Sequence, residues 1–229
     1  MSTYVLTGAG SGIGRLVAER LHARGDTLIL IARDDRRAAD LTAAFPGAVA
    51  VASDLAAPTA LADAVAAALP EAIDGIVHAA GIVELGTVAE LPVDAWTSQL
   101  TVNLVAPAEL TRLLLPRVRA ARGQIVFVNS GAGLTAHAGW AAYAASKHGL
   151  KALADALRSE EAEHGVRVTT VYPGRTATPM QETVHAQEGA AYDPDRWIDP
   201  ESVATVILTA LDLPRDAVIS DLTVRPGPR

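Results

Sequence analysis

The chain has 229 residues, a formal charge of −7, no cysteine, and hydrophobic side chains at half its positions. That length carries one large domain or two small ones around a sizeable core. The composition excludes disulfides, thiolate ligands and thiol nucleophiles, and shows no basic footprint for nucleic acid.

Short β-branched runs alternate with Ala/Leu-rich runs along the chain. Residues 4–8 (YVLTG) read as a strand, 12–25 as a helix ending at Gly25, and 27–32 (TLILIA) as a second strand. A polar helix follows to about residue 44, then a third strand over 48–54 and a helix over 57–69 with Pro58 near its start. Residues 73–81 form the fourth strand and its exit, and 94–119 a long helix around Asn103 with Pro107 as a kink. A fifth strand covers 123–130, a long helix 140–165, and a sixth strand 166–174. Asp199 as N-cap and Pro200 at the first helical position open a helix over 199–211, and 217–224 is the last strand. Residues 175–198 have no clear periodicity, and a connection of that length is expected to be a substrate lid.

Strands that are nearly continuous in apolar residues, each followed by a helix, predict a parallel sheet covered on both faces. The expectation is a single α/β domain over 1–229, doubly wound and Rossmann-type, with seven strands and six helices. No 18-residue apolar run suggests a membrane span. The opening MSTYVLTGAG has no basic n-region of a secretory signal, so a cytoplasmic location is expected.

TGAGSGIG, residues 7–14, leaves the first strand and opens the first helix. Gly8 permits a tight turn, and Gly12 and Gly14 let backbone and helix approach a pyrophosphate at the helix N-terminus. The spacing is GxxxGxG, with no GK[ST] to make it a P-loop. A glycine-rich turn without a ligand is the bland alternative. After the second strand, Arg33 stands where an NAD site usually places an acid. An arginine pairs with a 2′-phosphate, which favours NADP, although Asp34 and Asp35 follow directly. Asp54 is placed either to accept from the adenine amino group or to cap the next helix.

Tyr143 and Lys147 stand at i and i+4 on one helix, so they share a face. A phenol is a poor base at neutral pH, and a nearby ammonium favours its ionised form. Ser130, at the C-terminal end of the fifth strand, lies on the edge where such sheets bind ligands. The three together suit general acid–base chemistry on an alcohol or carbonyl. The competing reading is a partly buried ring beside a snorkelling lysine.

TGAGSGIG, Ser130, Tyr143-Ala-Ala-Ser-Lys147 and the YPG at 172–174, in this order, resemble the short-chain dehydrogenases/reductases over essentially the whole chain. The resemblance implies Tyr143 as proton donor and acceptor and Lys147 as the group that holds the nicotinamide ribose and lowers the tyrosine pKa. It implies Ser130 as the polariser of the substrate carbonyl and Asn103 as the support of a water linking the lysine to solvent. The cofactor contacts it implies are Gly8, Ser11, Gly12, Ile13, Gly14, Arg33, Asp54, Leu55, Ala80, Gly81, Tyr143, Lys147, Pro173, Gly174, Thr176 and Thr178. Members with an arginine after the second strand generally use NADP, and members form dimers or tetramers. His78-Ala79-Ala80-Gly81 departs from the usual Asn-Asn-Ala-Gly, and Thr176 stands where a branched aliphatic residue is common. The end ISDLTVRPGPR lacks the common glycine-rich tail and looks like that of a subgroup acting on small hydroxy acids.

The implied activity is hydride transfer between NADP(H) and a small alcohol, ketone or aldehyde. An NAD-dependent alcohol dehydrogenase of the same family, and a non-catalytic dinucleotide-sensing regulator, are the alternatives. Ser130, Trp140, Tyr143 and Arg175 are the expected substrate pocket, Arg175 as a possible partner of an acidic substrate. His137, His185, Tyr192 and Trp197 are candidates for wall or lid. No metal, nucleic acid or membrane is expected.

Overall fold

A computed structural model of the chain describes residues 1–66 and 69–228, so residues 67–68 of the helix expected over 57–69 lie outside the described residues. The strands are β1 (Thr3–Thr7), β2 (Thr27–Ala32), β3 (Val49–Ala52), β4 (Gly75–His78), β5 (Gln124–Val128), β6 (Arg167–Pro173) and β7 (Asp221–Val224). They form one parallel sheet in the order β3-β2-β1-β4-β5-β6-β7. The order reverses between β1 and β4, and that switch point opens a crevice beyond the C-terminal strand ends.

Helices cover both faces: α1 (Gly12–Ala23), α2 (Asp35–Ala44), α3 (Leu61–Ala66), α4 (Val93–Leu100), α5 (Ala106–Ala121), α6 (Ala141–Glu161), α7 (Pro179–Gln187) and α8 (Pro200–Asp212). The alternation of side chains along each strand divides the core in two. Leu6, Leu28, Leu30, Val77, Val126 and Val171 face Val17, Ala18 and Leu21 of α1 and Val203, Ile207 and Leu211 of α8. Their neighbours Val5, Ile29, Ile31, Ile76, Ile125 and Val168 face α3, α5 and α6 through Leu61, Leu110, Leu114, Leu150 and Leu157. Asp199 caps α8 as expected, its carboxylate accepting the Glu201 amide at 2.9 Å.

Three differences from the sequence reading bear on the crevice. The helix expected over 94–119 is α4 and α5 joined by a π-turn at residues 101–105, in which the Ala106 N–H reaches back to the Thr101 carbonyl. Pro107 has no N–H to continue the ordinary ladder from Asn103, and the wider turn absorbs the misfit. The fourth strand stops at His78, because Thr7 Oγ1 accepts the amides of both Ala79 and Ala80 at 3.1 Å and draws the chain out of the sheet. Residues 175–198 contain α7, capped by Thr178 and opened by Pro179, and a short 3-10 turn at 194–196. Buried positions in α7 are few, so its periodicity is faint in the sequence.

Candidate active site

The chain turns from β1 into α1 at Gly8, whose φ is +76° and whose Cβ, if present, would lie 2.7 Å from the Ala79 carbonyl carbon and the Ala80 amide nitrogen. A Cβ on Gly14 would lie 2.5 Å from the Gly8 carbonyl oxygen. Larger side chains are thus excluded at both positions by backbone, not by flexible neighbours. Ser11 is the N-cap of α1 but makes no side-chain cap bond, so the first amides of the helix stay available to an anion.

This turn forms one end of a cavity of about 780 Å³ along the C-terminal strand ends. Gly8, Ser11, Gly12, Ile13, Gly14, Ala80, Gly81, Ser130, Tyr143, Lys147, Pro173, Gly174, Thr176 and Thr178 all line it, as do Trp140, His137 and Arg175. Asn103 stands directly behind the wall: a Cβ on Gly81 would be 3.2 Å from its Oδ1 and 3.7 Å from Lys147 Nζ. Arg33, Asp54 and Leu55 lie outside the lining, at the ends of β2 and β3. The Arg33 side chain is 71% exposed and its Nε is 3.3 Å from Asp34. Asp34 also caps α2 through the Arg37 amide. Asp54 accepts the Ala56 amide at 2.9 Å, which is the turn-capping geometry.

Ser130 follows β5 and opens a 3-10 turn, its Oγ accepting the Ala132 amide at 3.1 Å. Tyr143 and Lys147, one turn apart on α6, are both buried. The Tyr143 hydroxyl hydrogen-bonds with Ser130, and its ring meets Trp140 edge-on with centroids 5.8 Å apart. Lys147 Nζ donates to the Val128 carbonyl at 3.2 Å and lies 5.8 Å from the Tyr143 ring centre.

Burial pushes Tyr143 up to about 12, and the Ser130 hydrogen bond offsets only part of that. Burial pushes Lys147 down to about 8. The expectation that the ammonium draws the phenol down is therefore not met by the protein's own groups. Desolvation of the phenolate outweighs a cation at this distance. A further positive charge beside the ring is needed to ionise it near neutrality.

Two asparagines hold this arrangement. Asn103 exchanges hydrogen bonds with the backbone of Ile82, 2.9 Å each way, and donates to Ser146 Oγ, which itself donates to the Tyr143 carbonyl at 2.7 Å. Asn129 accepts the Ser130 amide at 2.8 Å and donates to the Lys147 carbonyl at 3.0 Å. Asn129, Ser146 and Thr7 escaped the sequence reading. Asn129 carries a visible signal, standing next to Ser130 at a strand end; Ser146 is hidden in an Ala-rich helix.

Arg175 lines the cavity, as the pocket reading has it, but its guanidinium is already paired. It forms a two-pronged pair with Glu188 at 2.6 and 2.7 Å and lies 5.8 Å from the Trp140 ring and 5.3 Å from that of Trp197. Glu188, at the end of α7, also bonds to Trp140. Tyr192 and Trp197 each pack on His185, with ring centres 5.3 and 5.2 Å from it, and none of the three lines the cavity. Thr178 lies over the glycine turn, its Cγ2 3.2 Å from the Cβ position of Gly12. His78 is stacked on Phe127 at 4.9 Å, bonded to Thr111, and pushed down to about 3 by burial, so it is neutral core.

A parallel sheet in this order, with a glycine turn at its switch point and an unsatisfied helix start facing the cavity, defines a Rossmann-type dinucleotide-binding protein. The short chain dehydrogenase family model matches residues 2–189, and the chain belongs to that family of oxidoreductases. It is 32% identical over 227 residues to an uncharacterised short-chain type dehydrogenase/reductase of Sinorhizobium fredii, covering 97% of this chain and 90% of that one. It is 34% identical over 234 residues to the 1-deoxy-11-beta-hydroxypentalenate dehydrogenase of Streptomyces exfoliatus, covering 96% and 83%. A structure assigned as a short chain dehydrogenase of Escherichia coli CFT073, complexed with NADPH, superposes with a TM-score of 0.86 at 26% identity, covering 98% and 97%. Among the described residues no helix is long and apolar enough to cross a membrane.

Proposed function

We propose that the protein is an NADP(H)-dependent oxidoreductase acting on a small alcohol and its ketone or aldehyde. The observation that carries this reading is the convergence of Ser130, Tyr143 and Lys147 on one cavity whose other end is the Gly8–Gly14 turn. The glycine turn, the open amides of α1 and the length of the cavity fit a nicotinamide dinucleotide. When bound, the dinucleotide supplies or takes up the hydride.

The protein's own groups do the rest. In reduction, Ser130 Oγ and the Tyr143 hydroxyl hold the substrate oxygen, and Tyr143 gives it a proton. In oxidation, Tyr143 takes the proton of the alcohol. Lys147 would hold the ribose, and together with the positive charge of the oxidised nicotinamide it would favour the ionised phenol. Asn103 fixes the Ile82 backbone and, through Ser146, the start of α6, and it supports a water that returns protons to Lys147. Pro173, Gly174, Thr176 and Thr178 border the nicotinamide end. Residues 175–198 act as the substrate lid, with α7 as its moving body.

The preference for NADP rests on Arg33. It is exposed at the end of β2, and its one contact, with Asp34 at 3.3 Å, is on the surface, so the guanidinium would exchange it for a 2′-phosphate. The second reading is an NAD enzyme in which Asp34, next to Arg33, takes the ribose instead. We also infer a dimer or tetramer built through the outer faces of α4, α5 and α6, where Val93 and Val105 are exposed. The deciding experiment follows NADPH and NADH oxidation with a panel of ketones and aldehydes, beside fluorescence titration of both dinucleotides. NADPH-dependent turnover with tighter NADPH binding is expected. Dinucleotide binding without turnover of any carbonyl would mark a non-catalytic sensor instead.

A further inference from the structure

Two arginines line the cavity, and among the described residues only one has a partner. Arg175 is neutralised by Glu188. Arg225 has no hydrogen bond or ion pair among the described residues. Its guanidinium nevertheless lies against the site: a Cβ on Gly131, the residue after Ser130, would be 2.7 Å from its Nη1. Lys147 is buried with its ammonium on the Val128 carbonyl. Among the described residues, Arg225 is the one cation of the cavity that is exposed at the rim and uncommitted.

Backbone geometry holds it there. Val224 of β7 stands in register with Pro173 of β6, and the Gly174 amide donates to the Val224 carbonyl at 2.8 Å. Pro226 closes on the other side, its Cδ 3.2 Å from the Cβ position of Gly174. Arg225 is thus gripped between two residues fixed on Gly174, and it leaves the sheet at the same edge as Ser130. In the strand order it sits on the far side of β5 and β6 from the glycine turn of β1. It therefore faces the end of the cavity away from the pyrophosphate site. The cavity lining includes the apolar Val83, Ala132, Trp140, Met180 and Val184 beside His137 and the mutually paired Arg175 and Glu188.

We propose that Arg225 is the substrate-recognition cation of this pocket, and that the preferred substrates carry a carboxylate a short hydrocarbon chain away from the reacting carbon. The proposal rests on the oxidoreductase reading above. A guanidinium fork matches a carboxylate with two parallel hydrogen bonds, which an ammonium or amide does not reproduce. The apolar walls take the chain between acid and carbonyl. Gly131 leaves the space through which the fork reaches the ligand.

The test uses matched probes, acetoacetate and levulinate against their methyl esters, with NADPH in the wild type, Arg225→Gln and Arg225→Lys. The wild type is expected to favour each acid over its ester in kcat/KM. Arg225→Gln should raise KM for the acids roughly tenfold to a hundredfold, leave the esters within about twofold, and leave NADPH affinity unchanged. Arg225→Lys should recover part of the loss. Equal losses for acid and ester, or weakened NADPH binding, would overturn the assignment. A second arm needs no turnover: butyrate and hexanoate are titrated into the dinucleotide-saturated protein, followed by tryptophan fluorescence. Carboxylate binding that is lost in Arg225→Gln supports the site even if no carbonyl is reduced, in which case only the oxidoreductase reading fails. Binding that is the same in both proteins, or absent from the wild type, overturns the Arg225 proposal while leaving that reading to the neutral ketones.

Discussion

The side-chain amide of Asn129 donates to the backbone carbonyl of Lys147 at 3.0 Å, joining the end of β5 to the middle of α6. The same side chain accepts the Ser130 amide. One buried residue therefore sets the distance between the strand that carries the serine and the helix that carries the phenol and amine. A Cβ on Gly133 would lie 2.4 Å from its Oδ1, so the 3-10 turn is moulded on it as well. Asn129→Ala should lower unfolding free energy by about 1–3 kcal/mol in urea, since it leaves buried polar groups without partners. It should also cut kcat at least about tenfold while NADPH affinity changes little, because the proton-transfer geometry loosens and the glycine turn does not. Asn129→Asp, which keeps the acceptor for Ser130, should fall between the two.

Tyr143→Phe should abolish turnover and leave NADPH binding nearly intact, since it removes only the hydroxyl that bonds with Ser130. Ser130→Ala should lose most of the rate and keep the cofactor. Lys147→Ala should damage both rate and binding, because the ammonium serves both the ribose and the phenol. Steady-state rates beside fluorescence titration separate the three patterns. A Tyr143→Phe protein that turned over a good substrate at wild-type rate would remove the tyrosine from the mechanism.

The sheet was legible because β1, β2, β4, β5 and β6 are apolar nearly throughout and buried on both faces, whereas the edge strands β3 and β7 are partly exposed and β7 alternates exposed and half-buried positions. Tyr143, Lys147 and Ser130 stand out chemically among alanines and glycines, but it is the family resemblance, not their spacing, that joined them, and the structure brings all three to one cavity. What escaped depends on contacts that spacing does not encode. The pairing of Arg175 with Glu188 crosses thirteen residues of a segment without periodicity. The placement of Arg225 beside Gly131 is set by the register of β7 on β6. The π-turn around Asn103 was half visible: Pro107 signalled a disturbance, but a kink and an inserted residue look alike in sequence.

Arg33 gives a prediction about cofactor choice. Arg33→Ala should weaken NADPH binding by roughly tenfold to a hundredfold and leave NADH within about twofold, as expected for loss of one charge-assisted fork to a 2′-phosphate. The effect on NADPH should shrink at high salt, because the side chain is largely exposed and its interaction is screened. Equal weakening of both dinucleotides in fluorescence titrations would place Arg33 on the adenine or the pyrophosphate, and a wild-type preference for NADH would point to Asp34.

Glu188 ties the end of α7 to Arg175 and to Trp140, across the mouth of the cavity. Pairing with Arg175 holds its carboxyl below the usual carboxylate range. A depressed carboxylate pKa gives a latch that is complete at neutral pH and is lost as pH falls through the lowered value. Glu188→Gln should loosen α7 at every pH. KM should rise several-fold, and hydrogen exchange over 179–187 should quicken while β1 and β5 exchange as before. Unchanged exchange in α7 would mean that packing of Thr178 on the glycine turn suffices to hold it.

Lys147 carries a burial cost. Burial lowers its pKa from 10.5 to about 8, so the unfolded chain binds the extra proton between those values and the folded chain does not. Stability from this group therefore rises with pH through that window, and below about 8 the folded protein carries the full penalty of a buried ammonium. The shift corresponds to about 3 kcal/mol at neutral pH. Lys147→Met fills similar volume without charge and gives up only one hydrogen bond to Val128. The dinucleotide-free variant should be more stable than the wild type by about 2–3 kcal/mol at pH 7. Urea titrations at rising pH should show that gain shrinking above pH 8 and disappearing by about 10.5. The variant should bind NADPH poorly at all pH values, whereas wild-type affinity should fall as pH rises through about 8 and the ammonium discharges. A variant less stable than the wild type at pH 7 would mean that the lysine is held charged by partners strong enough to outweigh its burial.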